Sequence, residues 1–485
     1  MKLPDLREKI NSIAQYSRKL EPEAETRQQW LAAAGGYAEA FFAGFEKRPV
    51  FTGSKGKPEQ WNDFIQDHPL PMAETLDFIR NEIDAHGLDP ASEGHLGYIP
   101  GGGVYPSAIG DFIAAIANRY AGIYFASPGA VRLENRLLEW MAQLIGYPAT
   151  AAGSLASGGS IATLTAIVTA REAHQLRCAD IPKAVVYCTA QVHHAVNKAL
   201  RIAGLAEAKL HEVPVDERFR MQPEALQLLL NKDRKAGLRP FLLVASVGTT
   251  DTGAVDPLKE LGEIAQKEGL WYHIDGAYGG FFVLSDLVKE HFEGIELSDS
   301  LVIDPHKGLF LPYGTGAVLV KNGALLQQSH FYQANYMQDT LRATEEWSPA
   351  DLSPELSKHF RGLRMWLPLR LFGLNSFKHA LNEKILLARY FHQFLKESTG
   401  FEVGPEPDLS VVLFRYCPED GQDIDAFNLQ LVKKIQEGGK VFLSSTTVDG
   451  KVYLRLAVLS FRTHLETIDR CLEELHHQVD LLLTH

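Results

Sequence analysis

The chain has 485 residues, 45% hydrophobic and 22% charged, with a formal net charge of -12. That length exceeds one simple core and predicts two or three domains, while the acidic balance argues against a nucleic-acid partner, which needs clustered Lys and Arg. No apolar run of about 18 residues is present, so no membrane span is expected.

The first twenty residues mix charge into an amphipathic helical pattern without an apolar signal core, which predicts a cytoplasmic protein. Residues 1–95 read as helices broken by loops, an N-terminal arm. Cys178, Cys188, Cys417 and Cys471 have no CxxC spacing; free thiols are expected, and no metal site.

From 96 to 365 the pattern becomes strand, loop, helix. Short apolar runs at 184–188, 241–245, 271–274, 301–303 and 316–320 suit strands buried on both faces. Helices fall between several of them; one at 257–267 has Asp256 placed as N-cap and Pro257 at its first position. This alternation predicts an α/β domain with a mostly parallel sheet. Residues 366–485 read as a small α+β domain. A helical stretch runs from Pro368 to about 397, then strands at 410–416, 441–443 and 452–457 alternate with helices at 423–436 and 465–483.

Open α/β sheets bind ligands beyond the carboxyl ends of their strands, and the chemically suggestive residues fall there. After an Ala/Gly-rich loop, Ser157-Gly158-Gly159-Ser160 opens a helix at 161–171; its amides and dipole suit an anion, though a Ser-capped helix entry explains it equally. His193 and His194 follow the 184–188 strand, where a ring can stack on a planar ligand or simply cap the next helix. Thr249 and Thr250 could bond a phenolate oxygen, or form an ordinary turn. Asp275 ends a buried strand, where a carboxylate is costly unless paired, and Gly276-Ala277 leave room for a flat ring. A pyridinium N–H is one suitable partner; a metal or a helix cap is the alternative. Lys307, in Asp304-Pro305-His306-Lys307-Gly308, follows the next strand, and an amine in such a setting can act as a nucleophile. Each signal is weak alone. Their order matches what pyridoxal 5'-phosphate (PLP) requires.

At these blocks the chain resembles the group II PLP-dependent amino-acid decarboxylases, which act on aromatic amino acids, glutamate, histidine or sulfinoalanine. The similarity runs from about His95 to Arg370. It implies a PLP-dependent transferase fold of type I and a homodimer with its active site at the subunit interface. By position, Lys307 resembles the cofactor-linking lysine, Asp275 the partner of the pyridine nitrogen and His193 the stacking histidine, with Ala277 on the other ring face. Gly158, Gly159, Ser160 and His306 resemble phosphate contacts, Thr250 lies near the ring hydroxyl, and Tyr98 and Pro100 fall in the substrate segment. Tyr336, in Asn335-Tyr336-Met337, resembles the loop tyrosine that returns a proton to the substrate carbon; relatives that make aldehydes carry Phe there.

Three features depart from the family. Gly308 follows the lysine where many relatives place an aromatic, Lys358 stands where several have Arg, and Gly101-Gly102-Gly103 replaces larger residues. The expected activity is decarboxylation of an L-amino acid to its amine and CO2. Tyr98, Tyr105, Tyr120, Tyr124 and Phe125 favour an aromatic substrate, whereas Arg119 and Arg132 could meet an acidic one. Aldehyde synthesis, transamination or another carbon–carbon lyase reaction is the nearest rival, and a non-catalytic scaffold the more distant one.

Overall fold

A computed structural model of the chain describes residues 2–45, 48–53, 61–62, 65–332, 346–419 and 421–484. They form two compact units, Met1–Ser92 and Glu93–His485. The first contains α1 (Leu3–Ser17), α2 (Ala24–Ala43) and α3 (Met72–Phe78), with a two-residue antiparallel ladder of β1 (Phe51–Thr52) and β2 (Gly87–Leu88). None of these three helices contains a buried residue.

The second unit opens with α4 (Tyr105–Ala117) and α5 (Pro128–Leu144). Seven strands follow: β3 (Ala152–Ala156), β4 (Ala184–Cys188), β5 (Lys209–Glu212), β6 (Arg239–Ser246), β7 (Trp271–Gly276), β8 (Ser300–Ile303) and β9 (Gly316–Val320). They build one sheet in the order β3-β9-β8-β7-β6-β4-β5, with only β9 antiparallel to its neighbours. Between the strands lie α6 (Gly159–Ala173), α7 (His194–Ile202), α8 (Pro223–Lys235), α9 (Leu258–Glu268) and the single turn α10 (Pro305–Gly308).

Strand alternation explains which side chains reach the site. Tyr272 and Ile274 of β7 enter the core shared with α5, α8 and α9, whereas Trp271 enters the core under α6 and α7. His273 and Asp275 therefore share the α6 face with Trp271. The 316–320 strand is followed by α11 (Gly323–His330), and α12 (Arg361–Phe372) and α13 (Leu374–Glu397) lead to the last layer. There β10 (Phe401–Val403), β11 (Val411–Tyr416), β12 (Ser444–Val448) and β13 (Lys451–Ala457) form an antiparallel sheet in the order β10-β11-β13-β12, covered by α13, α14 (Ile424–Gly438) and α15 (Leu465–Leu483).

Four local expectations are corrected. The Ala/Gly-rich stretch before Ser157 is not a loop but β3, whose small residues let it lie against β9: a Cβ at Gly153 would fall 2.3 Å from the Val318 carbonyl oxygen. Asp256 does not cap α9, which starts after Pro257 without a side-chain cap. It is buried, accepts N–H bonds from Met221 (2.7 Å) and Ser246 (2.8 Å), and burial raises its pKa to about 6. The helical stretch begins at Arg361, with Pro368 inside α12. The proline leaves the Arg364 carbonyl without its helical donor, and the Ser107 hydroxyl donates to it at 2.9 Å. Finally, 441–443 is not a sheet strand. Phe442 makes one bridge to His95, and β12 begins at Ser444. Its Ser/Thr-rich run is paired by a hairpin at Asp449-Gly450, both with positive φ.

Candidate active site

The α6 N-terminus and the loops after β4, β6, β7 and β8 enclose a cavity of about 410 Å³. Among its lining residues are Gly158, Gly159, Ser160, His193, Thr250, Asp275, Ala277, His306 and Lys307. Tyr98 and Pro100 are not among them. Tyr98 is half exposed, its ring 5.7 Å from Phe442, and Pro100 is buried. Tyr336 lies outside the described residues.

Lys307 stands on α10, its Nζ 3.2 Å from Asp304 Oδ2. Asp304 is only 1% exposed, and its Oδ1 has no hydrogen-bond partner among the described residues. That carboxylate fills the space that side chains at two glycines would need: a Cβ would lie 3.0 Å from Oδ2 at Gly159 and 2.6 Å from Oδ1 at Gly316. Gly158 and Gly159 at the start of α6 are left as bare backbone on the cavity wall, and a helix N-terminus offers unpaired N–H groups.

Asp275 Oδ1 accepts the Ala277 N–H at 3.1 Å, fixing the carboxylate at the strand end. Behind it on the same face, His273 is fully buried, with Nδ1 2.8 Å from Ser300 Oγ; burial pushes its pKa down to about 4. His193 is the N-cap of α7: its Nδ1 accepts the Ala195 N–H at 3.2 Å. Burial lowers its pKa against the pull of Asp275. The neutral ring therefore carries its hydrogen on Nε2. His306 is the reverse case, with Nδ1 2.6 Å from the Thr315 carbonyl oxygen and a pKa lowered by burial.

The sequence departures acquire physical reasons here. A Cβ at Gly308 would fall 2.6 Å from Phe281 Cβ, so Phe281 already occupies the space of an aromatic at 308. Lys358 is fully buried in an ion pair with Glu134 (2.6 Å) and also reaches Ser154 Oγ (3.2 Å), tying its segment to α5 and β3. Arg132 is engaged by Glu346 (2.6 Å) and the Tyr124 hydroxyl (2.5 Å). Gln191, Asp304 and Tyr313 also line the cavity and were not singled out from sequence. Nothing in the local pattern of Gln191 and Tyr313 separates them from ordinary loop residues, whereas Asp304 ends a buried strand as Asp275 does, and that signal could have found it.

A family model described as the pyridoxal-dependent decarboxylase conserved domain matches residues 58–417. The aromatic-L-amino-acid decarboxylase of Bacillus atrophaeus is 34% identical over 437 residues, covering 83% of this chain and 91% of the relative. A phenylacetaldehyde synthase of Arabidopsis thaliana is 30% identical over 414 residues, covering 82% and 84%. The crystal structure of Oryza sativa TDC with PLP and tryptamine superposes with a TM-score of 0.90 at 24% identity, covering 95% of this chain and 99% of that one. The cavity's side chains fit a flat phosphorylated pyridine: an amine at Lys307, a carboxylate at Asp275, and the bare start of α6 for an anion.

Proposed function

The chain belongs to the pyridoxal-dependent decarboxylases, and from that premise we propose that it converts an aromatic L-amino acid to the amine and CO2, with Lys307 carrying the cofactor. The observation that supports the residue roles is the convergence of Lys307, Asp275, His193 and the α6 start on one cavity. The aromatic preference rests on the relatives that act on such substrates, including those named for tyrosine and tryptophan.

When bound, PLP supplies an electron sink for the pair released as the carboxylate leaves. Asp275 would hold a proton on the ring nitrogen by its charge, from a carboxylate already oriented by the Ala277 N–H. His193 would cover one face of the ring, with its Nε2 hydrogen free to donate because Nδ1 is taken by the Ala195 N–H. Ala277 would lie on the other side, Thr250 would bond the ring hydroxyl, and Gly158, Gly159, Ser160 and His306 would hold the phosphate. Lys307 would hold the cofactor's aldehyde carbon through its Nζ, beside the place where the substrate amine would enter. Tyr336 returns the proton to the α-carbon, and Tyr98 and Pro100 lead the substrate to the cavity.

The aldehyde-forming relatives favour a second reading in which decarboxylation ends in oxidative deamination, with dioxygen as the oxidant reduced to peroxide and water supplying the aldehyde oxygen. Incubating the enzyme with each of the twenty amino acids and sulfinoalanine, while measuring CO2, amine, peroxide and ammonia, decides between them. Equal CO2 and amine from Phe, Tyr or Trp supports plain decarboxylation; peroxide with ammonia supports the aldehyde reading. Full turnover by Lys307→Ala would overturn the role of Lys307.

A homodimer with the site at its interface completes the proposal. Phe112, Ile113 and Ile116 on α4 and Trp366, Leu371 and Phe372 on α12 expose apolar surface on two helices packed against each other. A second copy would cover that surface. Domain limits of 1–95, 96–365 and 366–485 and a cytoplasmic location belong to the same reading. Among the described residues no helix is long and apolar enough to cross a membrane.

A further inference from the structure

The loop Tyr313-Gly314-Thr315 leads from α10 to β9, and Tyr313 and Gly314 form part of the cavity wall. The glycine run holds it on one flank. A Cβ at Gly101 would fall 3.0 Å from the Tyr313 backbone N, and Gly102 N–H donates to the Leu311 carbonyl at 2.9 Å. On the other flank stands Arg364 of α12, its side chain 14% exposed. Its Nε lies 2.8 Å from both carboxylate oxygens of Asp111 on α4. Its Nη1 donates to the Tyr313 carbonyl (2.8 Å) and to the Thr315 hydroxyl oxygen (3.2 Å). The guanidinium reaches both because residue 314 is glycine. A Cβ there would meet Nη1 at 2.8 Å, and its φ of 98° strains any other residue.

What this clamp fixes is the imidazole of His306. The Thr315 carbonyl accepts the His306 backbone N–H (3.1 Å) and its Nδ1 hydrogen (2.6 Å). The ring's Cε1 lies 3.6 Å from the place a Cβ would take at Gly158, so the ring stands against the start of α6. Nε2 is then the nitrogen left for a ligand. A phosphate dianion beside it favours the imidazolium, whose Nε2–H would donate to the anion. Asp304 Oδ2, 3.7 Å from Nε2, favours the same charge. Such a bond depends on where the ring stands, and the Thr315 carbonyl sets that. Arg364 itself is not among the residues lining the cavity.

We infer that Arg364 is a positioning residue for the cofactor phosphate, acting through the Thr315 carbonyl on His306. This rests on the reading that Lys307 carries PLP with its phosphate at the α6 start. The test is a titration of full-length protein, stripped of cofactor with phenylhydrazine, by PLP and by phosphate-free pyridoxal, read by absorbance. Arg364→Gln removes the fork that joins Asp111 to the loop. Its PLP Kd is expected to rise about tenfold, the size of a lost hydrogen bond to a charged group. Asp111→Asn slackens the same guanidinium from the part-exposed side of α4, and a rise of about threefold is expected. Pyridoxal binding should be unchanged in both variants, and saturating PLP should restore kcat and KM, which a general loosening of the fold would not allow. A PLP Kd within twofold of wild type in Arg364→Gln, or equal weakening of both ligands in either variant, would overturn the inference. Wild-type uptake at Lys307, read by peptide mass after borohydride reduction, would still stand. Wild-type protein that bound neither ligand would overturn both readings.

Discussion

Asp275 and Lys307 illustrate how a charge at a strand end becomes usable. Each sits where the backbone leaves the sheet, and each already has one fixed contact: the Ala277 N–H for the carboxylate, Asp304 for the amine. The proposed role of Asp275 depends on its charge more than on its hydrogen bonding. Asp275→Asn keeps the shape but cannot hold a proton on the ring nitrogen. We expect kcat at saturating PLP to fall roughly 100-fold or more, with cofactor absorbance retained. Turnover within a few-fold of wild type would remove Asp275 from the mechanism. The residue types at these sites were legible because a lone Asp or Lys ending an apolar strand is unusual. Tyr313 was not legible, since its place depends on glycines two hundred positions upstream in the chain.

At the scale of elements, the segment containing Lys358 is anchored by burial of charge. Lys358 and Glu134 are both wholly inaccessible, and Glu134 Oε1 also accepts the Leu155 N–H of β3 at 3.1 Å. Removing one partner strands the other charge in the core. Lys358→Ala is therefore expected to cost about 3–5 kcal/mol, seen as a lower urea midpoint. A change under 1 kcal/mol would mean that water reaches Glu134. The paired substitution Lys358→Met with Glu134→Leu should recover much of the loss, because two apolar side chains need no partner. Helix and strand interiors followed from periodicity; β3 and β12 did not, because Gly, Ser and Thr give a turn-like pattern that only pairing with β9 and β13 overrides.

At the scale of the whole molecule, two features are open to measurement. His95 and His273 are buried, and desolvation takes both to about 4 from an unfolded value near 6.5. The unfolded chain then binds more protons between those values, so stability rises with pH across that window and levels above 6.5. Each histidine contributes up to about 3 kcal/mol, lost as pH falls from 6.5 through 4. Urea midpoints taken from pH 7 to 4.5 should fall steadily, and His273→Asn should flatten the slope; an unchanged midpoint would contradict it. The second feature is the exposed apolar face of α4 and α12. If a second copy covers it, Ile116→Glu should give a monomer by sedimentation, with loss of activity; a monomeric wild type would remove the dimer from the proposal.

The sequence by itself determined the α/β class, the cofactor and most of the cavity wall. Those features are written in local signals: apolar strand runs, a glycine-rich helix entry, and lone polar residues at strand ends. It also showed that 101–103 and 308 were unusual, without a reason. Only the tertiary structure decided why, since the answer is largely steric and lies between distant segments: Phe281 fills the space at Gly308, Tyr313 and Phe310 close upon Gly101 and Gly102, and Gly103 takes a positive φ of 71°. The direction of each histidine's hydrogen was likewise a tertiary matter. His193 accepts from a backbone N–H and His306 faces a backbone carbonyl, and only the folded chain sets those partners.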